Sequence, residues 1–165
     1  MKKILVIGSG GREHAICEQF KKSTKTDKIF ALPGNAGIAQ IAEIVSAVKA
    51  NDHQGIIDFC KNEKIDLVFV GPEQPLVDGL VDDLQKAEIR VFGSSKKASQ
   101  LEGSKIFMKK VAKDNAVPTA IYESFSQSVS AIEFAKNLGF PCVIKADGLA
   151  AGKGVIIAQN LEEAE

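Results

Sequence analysis

The chain has 165 residues, of which 45% are hydrophobic and 25% charged, and its 21 Lys and Arg balance its 21 Asp and Glu. At about 100–200 residues per domain this length holds one domain and part of another. Zero net charge excludes a protein whose affinity for nucleic acid or a membrane surface rests on surplus Lys and Arg. The apolar content excludes a disordered chain, and no apolar run approaches the ~18–20 residues that cross a bilayer.

Met1-Lys2-Lys3 before Ile4-Leu5-Val6-Ile7 has the outline of a secretory leader, but the apolar stretch is short and Gly8-Ser9-Gly10-Gly11-Arg12-Glu13 follows it. Residues 4–7 therefore read as a buried strand. They are apolar on both faces, as in a parallel sheet covered by helices. A helix is expected over residues 12–21, a strand over 28–32, a further strand over 44–48 and a helix over 52–64. A strand over 67–70, a helix over 76–86 and a strand over 90–92 complete a β-α alternation that predicts a doubly wound parallel sheet up to about residue 95. Beyond it, Ser99-Gln100-Leu101-Glu102 fits a capping box. Residues 104–114 read as helix, 120–123 as strand and 130–138 as helix. Residues 142–146 and 155–158 read as an antiparallel pair around a glycine-bearing loop. Asn160 starts a last helix that has one turn, which reads as a chain cut inside its second domain. Cys17, Cys60 and Cys142 show no metal-ligand spacing and read as core residues of a cytoplasmic protein.

Three loops follow predicted strand ends, and in an open parallel sheet those ends share one crevice. Gly8-Ser9-Gly10-Gly11-Arg12-Glu13 opens a helix whose backbone N–H groups suit a phosphate. The dinucleotide fingerprint would need Gly at Glu13 and an acid where Ala31-Leu32-Pro33 stands, so NAD is disfavoured while a mononucleotide or sugar phosphate remains open. In Pro33-Gly34-Asn35-Ala36-Gly37 and Gly71-Pro72-Glu73-Gln74-Pro75, Asn35 and Glu73 offer an amide and an acceptor to sugar hydroxyls or an amine. Taken singly, each of these loops has ordinary turn chemistry. His14 reads as a packed helix residue.

Lys145-Ala146-Asp147-Gly148-Leu149-Ala150-Ala151-Gly152-Lys153-Gly154 is not a Walker A loop, since Gly148 to Lys153 is one residue short and Gly154 stands where Ser or Thr would bind magnesium. A lysine on a strand followed by small residues and a second lysine still suits nucleotide phosphates. Among the basic run after residue 95, Lys105 beside Gly103-Ser104 is the ligand candidate, and Lys109 and Lys113 read as a solvated helix face.

With Gly10-Gly11-Arg12-Glu13-His14-Ala15, Pro33-Gly34-Asn35-Ala36-Gly37, Gly71-Pro72-Glu73, Gln100-Leu101-Glu102-Gly103-Ser104-Lys105 and the 145–154 stretch in that order, the whole chain resembles the front part of the phosphoribosylamine–glycine ligase family of ATP-grasp enzymes. The resemblance implies a substrate-binding domain over residues 1–102 and the first part of an α+β ATP-grasp domain over 103–165. It implies a purine-biosynthesis ligase that joins glycine to phosphoribosylamine through glycyl phosphate, yielding glycinamide ribonucleotide, ADP and phosphate. By the same resemblance ATP would be held by Lys105, Lys145, Asp147, Gly148, Gly152, Lys153 and Gly154. Phosphoribosylamine would meet Gly10, Gly11, Arg12, Glu13, Asn35, Gly37, Pro72 and Glu73. No catalytic residue is assigned, and the ligands for magnesium or manganese are expected beyond residue 165, so the 165-residue chain alone is expected not to turn over. A cytoplasmic monomer acting on small molecules, with no nucleic acid and no membrane, is implied for the full-length protein. Gly93-Ser94-Ser95 stands where the family usually has Gly-Pro-Thr, which is expected to loosen that turn. Two alternatives are another ATP-grasp carboxylate–amine ligase, distinguished by the Gly10–Ala15 and Asn35–Gly37 motifs, and a non-catalytic nucleotide-binding domain complete at this length.

Overall fold

Every residue from Ile4 to Ile7 is buried, so strand β1 (Lys2–Gly8) needs apolar cover on both faces. Leu5 and Ile7 join Phe30, Leu32, Val68 and Val70 in one cluster, completed by Ile56, Ile57 and Cys60 of α2 (His53–Glu63) and by Leu80, Val81 and Leu84 of α4 (Leu80–Lys86). Ile4 and Val6 turn the other way and pack with Ile29, Ala31 and Cys17, the last on α1 (Gly11–Lys22). The period-2 alternation of a strand thus divides one apolar run between two cores. The computed structural model describes residues 1–150 and 152–165, in two units, Met1–Ser99 and Gln100–Glu165.

In the first unit β1 pairs in parallel with β2 (Thr26–Pro33) and β4 (Leu67–Val70); β3 (Glu43–Ile44) lies outside β2 and β5 (Val91–Phe92) outside β4, in the order β3-β2-β1-β4-β5. This is the expected doubly wound arrangement. The chain leaves β1 for one face through α1 and leaves β4 for the other through α3 (Glu73–Asp78) and α4. The strand order therefore reverses between β1 and β4, where the departing loops open a crevice at the carboxyl ends of the strands. The core thiols are buried and unpaired, and burial pushes Cys17 up to about 11 and Cys60 up to about 12, so both stay neutral.

The second unit carries α6 (Lys105–Asp114), α7 (Ser128–Leu138), the antiparallel pair β6 (Cys142–Lys145) and β7 (Val155–Ala158), and α8 (Leu161–Ala164). The α5 helix (Lys96–Gly103) runs across the boundary between the units. Asn160 caps α8 by accepting the Glu163 N–H, as its position in the sequence predicts. The buried cluster here is small, Ala135, Cys142 and Ala158, and Val143, Ile144, Val155, Ile156 and Ile157 of the strand pair are exposed.

Several expected elements differ. The helix predicted over 76–86 starts earlier, at Glu73, and is broken into α3 and α4 by Gly79, whose φ of +99° ends one helix and redirects the chain into the next. The strand predicted over 44–48 is reduced to Glu43–Ile44, and residues 120–123 form no strand. Ser99 does not cap a helix: it lies inside α5, its hydroxyl donating to the Ser95 carbonyl (2.9 Å), while the Ser95 hydroxyl accepts the Ala98 N–H (3.3 Å). The Gly93-Ser94-Ser95 turn therefore supplies the cap itself. Lys109 is not free in solvent, since its Nζ donates to Thr119 Oγ1 (2.6 Å) and lies 5.0 Å from the Tyr122 ring centre.

The α2 and α4 helices are joined by His53 Nδ1, which lies 2.8 Å from Asp83 Oδ2, and Lys86 Nζ adds a contact of 3.2 Å to Asp83 Oδ1. Hydrogen bonds from His53 and then Lys86 hold the Asp83 carboxyl below its ordinary 3.8. The folded state therefore binds fewer protons there than the unfolded chain. The stabilisation is complete above the ordinary value and is lost as pH falls through the depressed one. Thermal melting followed by circular dichroism is expected to show a steeper fall in melting temperature for the parent than for Asp83→Asn between about pH 4.5 and 2.5.

Candidate functional site

The crevice at the carboxyl ends of β1, β2 and β4 is organised by Glu13, in the first turn of α1 and only 3% exposed. A buried carboxylate is tolerated only when its oxygens are paired. Here Oε2 accepts the Gly10 N–H (2.7 Å) and Oε1 accepts Arg12 Nε–H (3.0 Å). The Glu13 side chain occupies space that Cβ atoms would otherwise fill: a Cβ at Gly8 would lie 2.5 Å from Glu13 Cγ, one at Gly10 2.9 Å from Oε2, and one at Gly71 would overlap Oε1. The turns after β1 and β4 can close on this carboxylate because they are built of glycine. Backbone bonds add to this, with the Gly71 N–H donating to the Ile7 carbonyl (3.1 Å) and the Gly34 N–H to the Gly8 carbonyl (3.1 Å).

Asn35 ties in the loop after β2. Its Nδ2 donates to the Ser9 carbonyl (2.7 Å) and its Oδ1 accepts the Ile38 N–H (2.9 Å). The His14 ring lies against Gly37, where a Cβ would sit 2.7 Å from Cε1; His14 is a packing residue here, as the sequence reading has it. Arg12 and Glu73 are exposed at the mouth of the crevice, with Arg12 Nη2 3.8 Å from Glu73 Oε2. The structure thus brings Gly10, Gly11, Arg12, Glu13, Asn35, Gly37, Pro72 and Glu73 to one edge of the first unit. They do different work: the polar atoms of Glu13 and Asn35 are engaged inside the protein, whereas the Arg12 guanidinium and the Glu73 carboxylate are exposed beside the first N–H groups of α1, which have no side-chain cap at Gly10. Those N–H groups have no acceptor within their helix and carry the positive end of its dipole, the chemistry of an anion site.

In the second unit Ser104 caps α6, its Oγ accepting the Phe107 N–H (3.1 Å) and donating to Asp147 Oδ2 (3.1 Å). Asp147 Oδ1 accepts the Lys105 N–H (2.7 Å) and the Ile106 N–H (3.2 Å). Partial desolvation raises the Asp147 carboxyl, but hydrogen bonds from Ile106, Ser104, Lys105 and Gly148 outweigh it and leave the group below its ordinary value. Lys105 Nζ donates to the Gly148 carbonyl (2.7 Å). Together these bonds fasten the start of the glycine loop to the N-terminus of α6, and the Ala146 N–H donating to the Gly154 carbonyl (2.9 Å) closes its far end. Lys145 stands at the end of β6 and Lys153 in the loop, both exposed. Ala151, part of the same predicted loop, lies outside the described residues. The Ser104–Asp147 link, across 43 residues, was invisible to the sequence reading except as a serine before a helix and an acid before a glycine. Among the described residues no group of three or more His, Cys, Asp or Glu side chains is placed to hold a metal ion, and no helix is long and apolar enough to cross a membrane.

Two family models match the sequence: one described as phosphoribosylglycinamide synthetase, N domain, over residues 2–102, and one described as phosphoribosylglycinamide synthetase, ATP-grasp (A) domain, over residues 103–165. The phosphoribosylamine–glycine ligase of Escherichia coli strain K12 is 48% identical over 164 residues, which are 99% of this chain and 38% of that protein. The enzyme of the same name from Halalkalibacterium halodurans is 48% identical over 161 residues, 98% of this chain and 37% of the relative. The chain therefore spans well under half the length of these relatives. Among solved structures, the phosphoribosylamine–glycine ligase of Thermotoga maritima superposes with a TM-score of 0.77 at 31% identity, covering 98% of this chain and 37% of that one. A biotin carboxylase from Campylobacter jejuni superposes with a TM-score of 0.79 at 21% identity, covering 99% of this chain and 40% of that one, a likeness of fold alone.

The packing of Glu13 separates two glycines that look equivalent in the sequence. Gly71→Ala is expected to lose about 1–3 kcal/mol by forcing the carboxylate out of its seat. Gly11→Ala, where a Cβ meets nothing within 4 Å, is expected to stay within about 0.5 kcal/mol of the parent. Urea unfolding midpoints check both.

Proposed function

The chain belongs to the phosphoribosylglycinamide synthetase family, and we propose that it supplies the substrate-binding domain and the start of the ATP-grasp domain of a phosphoribosylamine–glycine ligase. In this reading the substrate-binding domain is residues 1–102 and the ATP-grasp part is 103–165. The full-length ligase joins glycine to phosphoribosylamine with ATP, giving glycinamide ribonucleotide, ADP and phosphate, as a step of purine biosynthesis. The observation that carries the proposal is the open N-terminus of α1 with Arg12 beside it at the strand-order reversal of the first unit. That pairing of helix N–H groups and a guanidinium suits the 5-phosphate of phosphoribosylamine. Glu73 and the Pro72 turn take the amine and sugar hydroxyls, while Glu13, Asn35 and Gly37 shape the crevice.

For ATP, the described residues fit a polyphosphate: Lys105, Lys145 and Lys153 bring three positive charges to or beside the glycine loop, and residues 148, 152 and 154 let its backbone approach a ligand closely. Asp147 keeps Lys105 in place rather than touching the nucleotide. When bound, ATP supplies the phosphoryl group that activates the glycine carboxylate, and magnesium or manganese would neutralise phosphate charge. The residues of this chain bind and orient the nucleotide phosphates, with Lys105 held at the glycine loop through the Gly148 carbonyl. Phosphoryl transfer asks chiefly for positioning and charge neutralisation, which is consistent with the lack of an assigned general base. The full-length protein is proposed to be a cytoplasmic monomer that takes only small-molecule partners.

Isothermal titration of the 165-residue chain with ribose 5-phosphate, a stable mimic of the substrate, tests this reading. Binding is expected, with Arg12→Ala weakening it about tenfold, equivalent to ~1.4 kcal/mol; the absence of binding would overturn the proposal. In an ADP-release assay with glycine and phosphoribosylamine, the full-length ligase is expected to turn over and the 165-residue chain is not.

A further inference from the structure

We infer that Glu13 is a positioning residue for the anion site rather than a ligand of the substrate: its buried carboxylate holds the Gly10 turn and aims the Arg12 guanidinium, and the site requires a carboxylate there. The inference rests on the proposed function and deepens it. Three observations carry it. Glu13 is almost fully buried, beneath Gly8, Gly10 and Gly71, so a ligand in the crevice does not reach it. Both of its oxygens are occupied, by the Gly10 N–H and by Arg12 Nε–H. Arg12 itself is 62% exposed in its side chain, and among the described residues its other ion-pair contact is Glu73 at 3.8 Å, so its direction is set from below by Glu13.

The chemistry makes the residue type specific. Both partners of Glu13 are donors, and only a group with two acceptor oxygens serves both at once. A glutamine of the same size accepts from one partner and confronts the other with its own N–H₂. Turned one way it frees Arg12, and turned the other it disturbs the Gly10 turn at the head of α1. Either outcome weakens an anion held jointly by the helix N-terminus and the guanidinium. The conflict disappears when Arg12 is absent, because the amide oxygen is then free for the Gly10 N–H alone.

A double-mutant cycle therefore distinguishes positioning from plain structural support. The dissociation constant for ribose 5-phosphate is measured on the 165-residue parent, Arg12→Ala, Glu13→Gln and the double variant, with melting temperatures alongside. Glu13→Gln and Arg12→Ala are each expected to raise the constant about five- to tenfold, and the double variant to match Arg12→Ala alone. Arg12→Lys, which keeps the charge but lacks Nε–H, is expected to bind as weakly as Arg12→Ala, and it tests the inference even where Glu13→Gln does not fold. Parent-like binding by Glu13→Gln or by Arg12→Lys, or losses that multiply in the double variant, would overturn the inference while leaving the phosphate site standing. Failure of the parent to bind ribose 5-phosphate would overturn the site and the inference with it.

Discussion

A carboxylate buried at the start of a helix constrains everything around it, and in the first unit that carboxylate belongs to Glu13. Its charge must be met by donors, which fixes the Gly10 turn and the direction of Arg12. Its bulk must be accommodated, which requires the turns after β1 and β4 to lack side chains where they press on it. Glycines at 8, 10 and 71 thus answer to one side chain, although Gly71 stands more than sixty positions from the other two in the sequence. At the strand-order reversal these turns fold directly against Glu13.

The second unit uses the same physics at another helix. The orphan N–H groups at the start of α6 are met by the Ser104 hydroxyl and by the carboxylate of Asp147, brought in from the loop after β6. Negative charge at a helix N-terminus is favoured by the dipole as well as by the hydrogen bonds. In each unit an acidic side chain anchors a glycine-rich segment at a helix start. The difference lies in where the acid sits: at α1 it lies beneath the turn and accepts the Gly10 N–H, whereas at α6 it accepts the first N–H groups of the helix itself. The units also differ in packing, since the first buries apolar side chains on both faces of a five-stranded sheet and the second buries only a few beneath a strand pair.

Much of this was legible in the residues. The run Ile4 to Ile7 announced a strand covered on both faces, and 67–70 and 155–158 were read with the bounds the structure has. The convergence of the loops bearing Gly10, Asn35 and Glu73 followed from parallel strand topology. The misreadings have local physical causes. Gly79 broke a helix because apolar periodicity does not reveal a left-handed backbone position. Ser99 imitated a helix cap, but the competing hydroxyl at Ser95 took the role and moved the helix start. Of the β-branched stretch at 44–48 only Ile44 joins the ladder, paired with Ala31 beside Glu43 and Phe30, since strand propensity yields to the pairing that the tertiary fold makes.

The sequence by itself determined the type and order of most elements, the parallel α/β class of the first unit and the residues that gather at its crevice, because periodicity, turn chemistry and helix-start signals are local properties. Only the tertiary structure decided what those residues do there. Glu13 and Asn35 stand in the sequence as polar groups available to a ligand, and in the fold their atoms are consumed by Gly10, Arg12, Ser9 and Ile38. Asp147 likewise became the cap of a helix 42 residues away. Whether a polar atom is free or spent depends on which partners the folded backbone turns toward it. Some lie one to three residues away, as Gly10, Arg12 and Ile38 do, and some are distant, as Ser9 is from Asn35 and Lys105 from Asp147; residue spacing along the chain does not decide between these.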